Sequence, residues 1–370
     1  MASFKVKEVR LHRLNVPLKR PFTTHLQSVE VRESILVEMV AETGEVGFGE
    51  CVAFSSPWYT EETIQSCWDV LENWLIPSLI RMEVNAPDAV YESLRFVKGN
   101  RMAKAALDMA SWDLWAKRIG LPLWRLLGGV RRKIDAGIVL TGPIDADLYR
   151  QLDGAVKIGY KRVKLKIDGS TNIQALKKLV ASYPALYFFA DGNGIFSELG
   201  LAALQKFDDI GLTLIEQPFT EMDWGLHREA YRTMATPIAL DESLCSVAAV
   251  SRMIEQQAGK IIVLKPGRVG GITESLRIHQ LAVQANIPIW LGGMIELGVS
   301  KAHNLALASL PGVQFPGDFS ASNHFWQADI VTPTIEVRNG QIELNEAIGI
   351  GYAVGWEQVQ EYRSAYAVFQ

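Results

Sequence analysis

The chain has 370 residues, of which 48% are hydrophobic and 21% charged, and 37 Lys and Arg against 41 Asp and Glu give a formal net charge of -4. This composition is typical of a folded globular protein and excludes disordered, collagen-like and disulfide-scaffold classes. Without clustered basic residues or a long apolar run, we expect no nucleic-acid partner and no membrane partner. We therefore expect a cytoplasmic protein that acts on small molecules. Its three cysteines, Cys51, Cys67 and Cys245, fit reduced thiols.

The N-terminal third changes from a strand pattern to a helix pattern. Alternation over 34–40, a turn at 42–45 and a return over 46–50 predict a β-hairpin. From about residue 61 to 128 the apolar spacing is helical, and the longest run, 101–119, ends at Gly120. Near the C-terminus, residues 334–337, a turn at Asn339 and Gly340, and residues 342–344 predict a return to β structure beside the N-terminal part.

Between these segments, short apolar runs alternate with amphipathic segments of helix length. Residues in or just after successive runs are 27, 25, 25, 24, 27 and 26 positions apart, namely Lys164, Asp191, Glu216, Asp241, Lys265, Gly292 and Asp318. One strand, one helix and two short loops require about 25 residues. With a run at 136–140 the runs number eight, the others being 162–167, 187–190, 212–215, 238–240, 261–264, 289–291 and 313–315.

Eight such units predict an α/β fold, a modified (β/α)8 TIM-type barrel over 129–329. Residues 1–128 and 330–370 lie outside this repeat. A doubly wound open sheet is the weaker alternative, because its strand order reverses and the spacing here is uniform.

Three acidic residues follow consecutive predicted strands. Asp191, Glu216 and Asp241 are expected to converge at the carboxyl ends of the strands, where such barrels place their active sites. Three carboxylates repel one another unless a cation joins them. Oxygen ligands suit Mg²⁺, with Mn²⁺ as a substitute, and the absence of His and Cys at these positions argues against Zn²⁺.

Lysines occupy the second and sixth predicted strands. Lys164 and Lys166 are two residues apart, so both point to the same side. Their repulsion, about 2.5 kcal/mol at roughly 6.6 Å and a dielectric near 20, favours a lowered pKa that makes one of them a base. Lys265 lies half an eight-stranded ring away, so Lys166 and Lys265 are expected to face each other. This geometry suits abstraction of a proton α to a metal-bound carboxylate.

Together these residues resemble the enolase superfamily, within it the muconate-lactonizing subgroup, marked by a Lys-x-Lys pair on the second strand and a lysine on the sixth. The resemblance covers essentially the whole chain. It implies a modified barrel over 129–329 and an α+β capping domain with lid loops, formed by residues 1–128 plus 330–370. It implies Mg²⁺ ligands at Asp191, Glu216 and Asp241, Lys166 as the catalytic base and acid, Lys164 as its electrostatic neighbour, and Lys265 opposite. Strand seven, 290–294, has no His, which departs from the mandelate-racemase branch.

The segments 54–63, 98–104, 264–271 and 292–296 are similar to the o-succinylbenzoate synthase and N-succinylamino acid racemase subfamily. The resemblance implies a small carboxylate substrate that bears a succinyl group. The implied lyase reaction, in menaquinone biosynthesis, is the syn dehydration of 2-succinyl-6-hydroxy-2,4-cyclohexadiene-1-carboxylate through an enediolate. In the alternative, N-succinylamino acid racemisation, both lysines exchange protons. The sequence does not choose between them.

Further residues are expected to support the site or bind substrate, with the cap closing over it to exclude water. The specificity segments are 22–25 and 54–59, and domain packing alone is an equally good explanation for Trp58 and Tyr59. The predicted supporting and substrate-binding residues are Asn193, Glu242, Ser243, Arg268, Gly293, Met294, Glu296, Phe22, Thr24 and Phe54.

Other classes of protein remain open at this point. A metal-free aldolase uses a barrel lysine in a Schiff base but gains nothing from three carboxylates. A barrel that only binds a ligand is a further alternative. The 10 Trp and the apolar fraction of 48% leave surface for a homo-oligomer contact, which we expect.

Overall fold

The computed structural model describes residues 3–24 and 26–370; His25, in the predicted specificity segment, lies outside the described residues. The strands, numbered in chain order, are β1 (Phe4–Thr23), β2 (Ser28–Ala41), β3 (Val46–Cys51), β4 (Glu83–Val84), β5 (Lys133–Asp135), β6 (Gly137–Leu140), β7 (Arg162–Lys166), β8 (Tyr187–Asp191), β9 (Leu214–Glu216), β10 (Ile238–Leu240), β11 (Ile261–Leu264), β12 (Ile289–Leu291), β13 (Val331–Thr332), β14 (Gln341–Glu343), β15 (Ala353–Val354) and β16 (Arg363–Phe369).

The α-helices are α1 (Ile64–Val70), α2 (Ile76–Leu79), α3 (Ala89–Ser93), α4 (Arg101–Ile119), α5 (Leu123–Leu126), α6 (Ala146–Ile158), α7 (Ile173–Ser182), α8 (Phe196–Leu199), α9 (Leu201–Leu204), α10 (Trp224–Thr233), α11 (Val247–Gln256), α12 (Pro266–Val269), α13 (Ile272–Ala285), α14 (Gly298–Ala308), α15 (Ser322–Phe325) and α16 (Trp356–Tyr362). Short π- and 3₁₀-helical segments cover Leu71–Leu75, Leu94–Phe96 and Gln205–Phe207. Within the described residues, no helix combines the length and the apolarity that crossing a membrane requires.

An antiparallel sheet forms the cap. Its strand order is β16-β1-β2-β3, and β4 also pairs with β1. The predicted hairpin is present as β2 and β3, with Val40 opposite Val46. The sheet packs on α4 so closely that a Cβ on Gly49 would lie 1.9 Å from the Ala106 carbonyl oxygen, which explains the glycine. Helix α4 ends at Gly120 in the left-handed conformation, as the sequence predicted.

A parallel sheet follows the cap and confirms the predicted modified barrel. Within residues 26–370, seven strands adjoin one another in chain order from β6 to β12. Each strand is short and mostly buried, and helices or turns separate successive strands. This order brings the carboxyl ends of the strands to one rim, where the predicted site residues lie.

The prediction of a regular eighth strand at 313–315 is wrong. This segment pairs with β12 through a bridge between Ile289 and Val313. On the opposite edge of the sheet, a bridge between Ala136, just before β6, and Gly317 connects it to the first barrel strand. Hydrogen bonds of 3.0 Å from Gln314 N to Ile289 O and 2.9 Å from Gly137 N to Gly317 O connect both edges. Pro316 interrupts the ladder because it has no N–H to donate. The barrel therefore closes through an irregular segment.

Apolar side chains fill the barrel beneath that rim. One buried cluster, against which Phe315 packs, consists of Phe189, Leu214, Ala239, Ile261, Val263 and Trp290. The Arg162 guanidinium lies above the rings of Phe189 and Trp290, 5.1 Å from each ring centre. A packed interior restricts ligand access to the ends of the barrel, so chemistry belongs at the rim.

The C-terminal tail departs from part of its prediction. The turn is present, with φ of 50° at Asn339 and 71° at Gly340, as a type I′ turn requires. Residues 334–337 form no regular strand, and β14 pairs with β5, which precedes the first barrel strand. The strand that joins the cap is β16, antiparallel to β1. Alternation predicted β structure here but carries no information on which strand pairs with which.

Candidate active site

Strand register sets the predicted lysines and carboxylates side by side. Lys166 ends β7 and lies opposite Asp191, which ends β8, and Asp191 lies opposite Glu216, which ends β9. Asp241 follows β10 directly, and Lys265 follows β11 as the residue before α12. Five neighbouring strands therefore place these charged groups on one rim, as the sequence predicted.

Each lysine of this group is ion-paired. Lys164 Nζ lies 3.1 Å from Glu216 Oε2, 3.2 Å from Asp191 Oδ2 and 3.3 Å from Asp318 Oδ2. Lys166 Nζ lies 2.7 Å from Asp191 Oδ2 and also donates to Asn193 Oδ1. Lys265 Nζ lies 2.7 Å from Asp241 Oδ2. We call this set of three lysines and their carboxylates the ion-paired side of the site.

Carboxylates, rather than neighbouring lysines, dominate the electrostatics of Lys164. Burial alone would lower the pKa of Lys164, but Asp318, Glu216 and Asp191 outweigh burial and hold that pKa well above its usual value. Burial also lowers the pKa of Lys265, but the charges around it, Asp241 first among them, together outweigh burial and raise that pKa. The prediction that repulsion between Lys164 and Lys166 lowers the pKa is therefore wrong for Lys164. Each of these two lysines has a carboxylate in direct contact.

The three predicted metal ligands offer only oxygen atoms and are 0–2% exposed. Among the described residues, no three acidic, His or Cys side chains are close enough as they stand to hold one metal ion. Lys164 instead contacts Asp191 and Glu216 together, and Lys265 contacts Asp241. The donor set fits a hard divalent cation by its chemistry and by its place on three adjacent strands. Binding would require these carboxylates to exchange lysine contacts for the ion.

Beside these ligands, a hydrogen-bonded chain joins the loops after β8, β9 and β10. Asn193 Nδ2 donates to Glu242 Oε1 at 2.8 Å, and burial raises the pKa of Glu242 to about 7. Gln217 donates to Ser243 Oγ at 2.8 Å and accepts from Asp241 N at 2.9 Å. Ser243 and Glu242 therefore support the loops from beside the site, and Gln217 is a supporting residue that the sequence did not reveal.

A cleft lies between this rim and the cap. Lys164, Lys166, Asp191, Asn193 and Lys265 line it from the barrel. The predicted residues Thr24, Gly293 and Glu296 also line it, and Gly293 N donates to Asp318 Oδ2 at 3.0 Å. Five further residues that line the cleft, which we call the cap-facing side, are Phe22, Phe54, Met294, Lys301 and Phe325.

Arg268 and Tyr59 meet at Asp241. Arg268 forms an ion pair with Asp241 and donates to Val263 O at 2.7 Å, so it holds the end of β11 in place. Tyr59 enters from the cap, and its hydroxyl donates to Asp241 at 3.2 Å and accepts from Lys265 Nζ at 2.9 Å. Tyr59 is thus part of the charged site, in addition to packing against Phe54 and Trp58.

Asp318 and Lys301 were not predicted as site residues. Asp318 accepts ion pairs from Lys164 and from Arg162, the latter at 2.7 Å. It stands in phase with the other carboxylates in the 25-residue repeat, and that signal was sufficient to find it. Lys301 lies within α14. Nothing in the sequence distinguishes this lysine from an exposed lysine on the surface of a helix.

Two family models match the chain. Residues 6–128 match the mandelate racemase / muconate lactonizing enzyme N-terminal domain, and residues 147–359 match the enolase C-terminal domain-like family. In structure, the chain is similar to an enolase superfamily member from Listeria innocua, with a TM-score of 0.95, 33% identity and 99% of each chain covered.

Two relatives of similar length illustrate the names that the matched proteins carry. The o-succinylbenzoate synthase of Bacillus subtilis is 40% identical over 99% of this chain and 98% of its own length. The N-succinylamino acid racemase of Thermus thermophilus is 40% identical over 94% of each chain. With both family models matched and these identities over nearly the full length, the chain belongs to the enolase superfamily.

Proposed function

We propose that this protein is an o-succinylbenzoate synthase, which dehydrates 2-succinyl-6-hydroxy-2,4-cyclohexadiene-1-carboxylate to o-succinylbenzoate in menaquinone biosynthesis. The observation that carries the proposal is that Lys166 and Lys265 line one cleft from different barrel strands, with buried carboxylates between them. Relatives that bear this name, at 34–40% identity over 96–99% of the chain, support it.

In this proposal Lys166 carries out both proton transfers, and Lys265 contributes only its charge. Lys166 Nζ, once neutral, removes the proton from the carbon that bears the carboxylate. The same ammonium group then gives its proton to the departing hydroxyl, which leaves as water. Because one lysine serves both steps, proton and hydroxyl leave from the same face, which makes the elimination syn. Lys265 keeps its charge and stabilises the developing anion.

Enolase superfamily enzymes generally use Mg²⁺, and we propose that Asp191, Glu216 and Asp241 hold it here. When bound, Mg²⁺ would offset the negative charge that develops on the substrate carboxylate as the proton leaves. Until the ion takes their oxygen atoms, Lys164, buried against Asp191 and Glu216, would keep these two carboxylates in position. Tyr59 and Arg268 would do the same for Asp241.

N-succinylamino acid racemase is the second candidate. Relatives from Thermus thermophilus and an Amycolatopsis species, 40% and 36% identical, bear that name. Racemisation needs a base on each face of the α-carbon, and Lys166 and Lys265 supply lysines from opposite parts of the barrel. Both activities fit one site.

The test is turnover of the purified protein with Mg²⁺ on the cyclohexadiene carboxylate and on a panel of N-succinylamino acids. We expect the aromatic product o-succinylbenzoate to form with a kcat/KM at least tenfold above that for any N-succinylamino acid. Turnover of the N-succinylamino acids alone would contradict the proposal and indicate that the protein is a racemase. A substrate adduct trapped on a lysine by borohydride would instead indicate a Schiff-base aldolase.

A further inference from the structure

Lys301 differs from the other lysines of the cleft. It lies on α14, is 2% exposed and lines the same cleft as Lys166 and Lys265. Its Nζ donates to the backbone oxygen of Ser320 at 3.1 Å. Within the described residues, no carboxylate oxygen lies within 4.0 Å of it, whereas Lys164, Lys166 and Lys265 all have carboxylate partners.

A buried ammonium group without a counter-charge is unfavourable, because one carbonyl does not replace the water that it has lost. The nearby polar groups do not supply the missing charge. Glu296 uses its two oxygens to accept from Met294 N and Asn304 Nδ2. Burial first, and then the positive charge of Lys301, lower the pKa of the His324 imidazole, so His324 supplies no negative charge either. Lys301 is therefore ready to bind an anion that enters through the cleft.

The surroundings of Lys301 suit an acyl chain that ends in such an anion. Phe22 and Phe325 stack edge to face at 6.3 Å, and Met294 lines the same wall. Apolar side chains of this kind favour methylene groups. A chain of two methylenes that ends in a carboxylate matches an apolar wall followed by one lysine.

We propose that Lys301 binds the terminal carboxylate of the succinyl chain and so selects substrates with a second, distal carboxylate. This rests on the proposed function, which supplies a substrate with two carboxylates. The first carboxylate belongs to the reacting carbon and goes to the ion-paired side. The second carboxylate binds Lys301 on the cap-facing side. Among the described residues, this is the lysine of the cleft that has no carboxylate partner.

The experiment compares two acyl groups of equal length, with and without the distal carboxylate. N-succinyl- and N-butanoyl-phenylalanine are incubated with the Mg²⁺-loaded protein in ²H₂O, and proton NMR measures deuterium entry at the α-carbon. For Lys301→Gln we expect the succinyl-to-butanoyl ratio of kcat/KM to fall about 100-fold, carried by KM. That factor corresponds to about 2.8 kcal/mol at 1.4 kcal/mol per tenfold change.

Matched variants separate charge from structure. Lys301→Arg keeps the charge and should keep most of the ratio, whereas Lys301→Met should lose it as Lys301→Gln does. Lys19→Gln is the control, because Lys19 Nζ also donates to a backbone oxygen, that of Asn323 at 2.8 Å, but is exposed. Its ratio should equal that of the wild type. An equal fall on both compounds in Lys301→Gln, or no fall on either, overturns the proposal.

Direct binding keeps this inference separate from the proposed function. Calorimetry should show that o-succinylbenzoate binds wild-type protein about 100-fold more tightly than Lys301→Gln, whether or not any substrate turns over. Equal affinity for the two proteins overturns the role of Lys301. Tight, Lys301-dependent binding without dehydration or deuterium exchange would retain the carboxylate site and contradict only the proposed function.

Discussion

The two sides of the cleft are built differently. On the ion-paired side, strand register fixes the lysines and carboxylates, and every lysine meets a carboxylate within 3.3 Å. On the cap-facing side, phenylalanines and methionine come from the cap and from loops, and Lys301 keeps no carboxylate partner among the described residues. Under the proposed function, this difference would separate proton chemistry, held by strand ends, from substrate recognition, held by residues of the cap, loops and α14.

Removal of divalent metal should give the largest effect, because it acts on the ion-paired side as a whole. After exhaustive chelation we expect dehydration to fall at least 1000-fold, since metal stabilisation of a developing charge contributes several kcal/mol. Added Mg²⁺, and Mn²⁺ in its place, should restore it. Steady-state assays before and after chelation make the measurement. Full activity in metal-free protein would exclude the proposed ligand set.

Lys164→Met should show that the ion-paired side depends on its cations for stability. It leaves Asp191, Glu216 and Asp318 buried without this partner, and we expect the free energy of unfolding to fall by about 3–5 kcal/mol in metal-free protein. Lys301→Met is the matched variant on the other side and should cost less than about 1 kcal/mol. Denaturant titrations measure both. Equal losses would mean that the two sides do not differ in this respect.

Glu50 links the cap to α14 and should make stability depend on pH. Its carboxylate accepts from Leu297 N at 2.9 Å and Ser300 N at 2.8 Å, and burial raises its pKa to about 7. Because the folded state holds the proton more tightly than the unfolded state, this contribution is present below about pH 4.5 and is lost as pH rises to about 7.

The free energy of unfolding that is lost over this pH range is about 3 kcal/mol, because each pKa unit of the Glu50 shift corresponds to about 1.36 kcal/mol. Glu50→Gln cannot titrate, so the wild-type free energy of unfolding should fall by that amount relative to the variant between pH 4.5 and 7. Parallel denaturant titrations at several pH values test this. A constant difference between the two proteins across the range would rule out Glu50 as the titrating group.

Tyr59→Phe should give the smallest effect, on the contact where the cap meets the ion-paired side. Loss of the hydroxyl removes one hydrogen bond to Lys265 Nζ and one to Asp241. We expect kcat for dehydration to fall about tenfold with KM nearly unchanged, which corresponds to about 1.4 kcal/mol. Tyr183→Phe is the control, because its hydroxyl bonds Asp153 outside the cleft. Unchanged kcat in Tyr59→Phe would leave Tyr59 as packing alone.

The positions of most charged residues on the ion-paired side could be predicted because local pattern determines them. Asp191, Glu216 and Lys265 each follow an apolar run at a regular spacing, and parallel strands bring such positions to one rim. The seven barrel strands follow from the same pattern. The eighth does not, because Pro316 leaves only bridges there.

The cap-facing side was only partly predictable because long-range contacts build it: Phe22, Phe54 and Met294 were predicted, whereas Lys301 and Phe325 were not. Nothing near Lys301 in sequence indicates that the helix buries it against Ser320, and nothing near Tyr59 indicates that its hydroxyl reaches Asp241. The pairing of β14 with β5 likewise depends on tertiary contacts between distant parts of the chain. The raised pKa of Lys164 depends on Asp318, more than 150 residues away in the chain.

Proton exchange tests the role of Lys166 most directly. Wild-type protein with Mg²⁺ and an N-succinylamino acid in ²H₂O should place deuterium at the α-carbon, as seen by proton NMR. Lys166→Ala, verified as folded by its thermal transition, should lower that exchange at least 1000-fold for the enantiomer whose α-hydrogen faces Lys166. Exchange at the wild-type rate for both enantiomers in Lys166→Ala would contradict the assignment of Lys166 as the base.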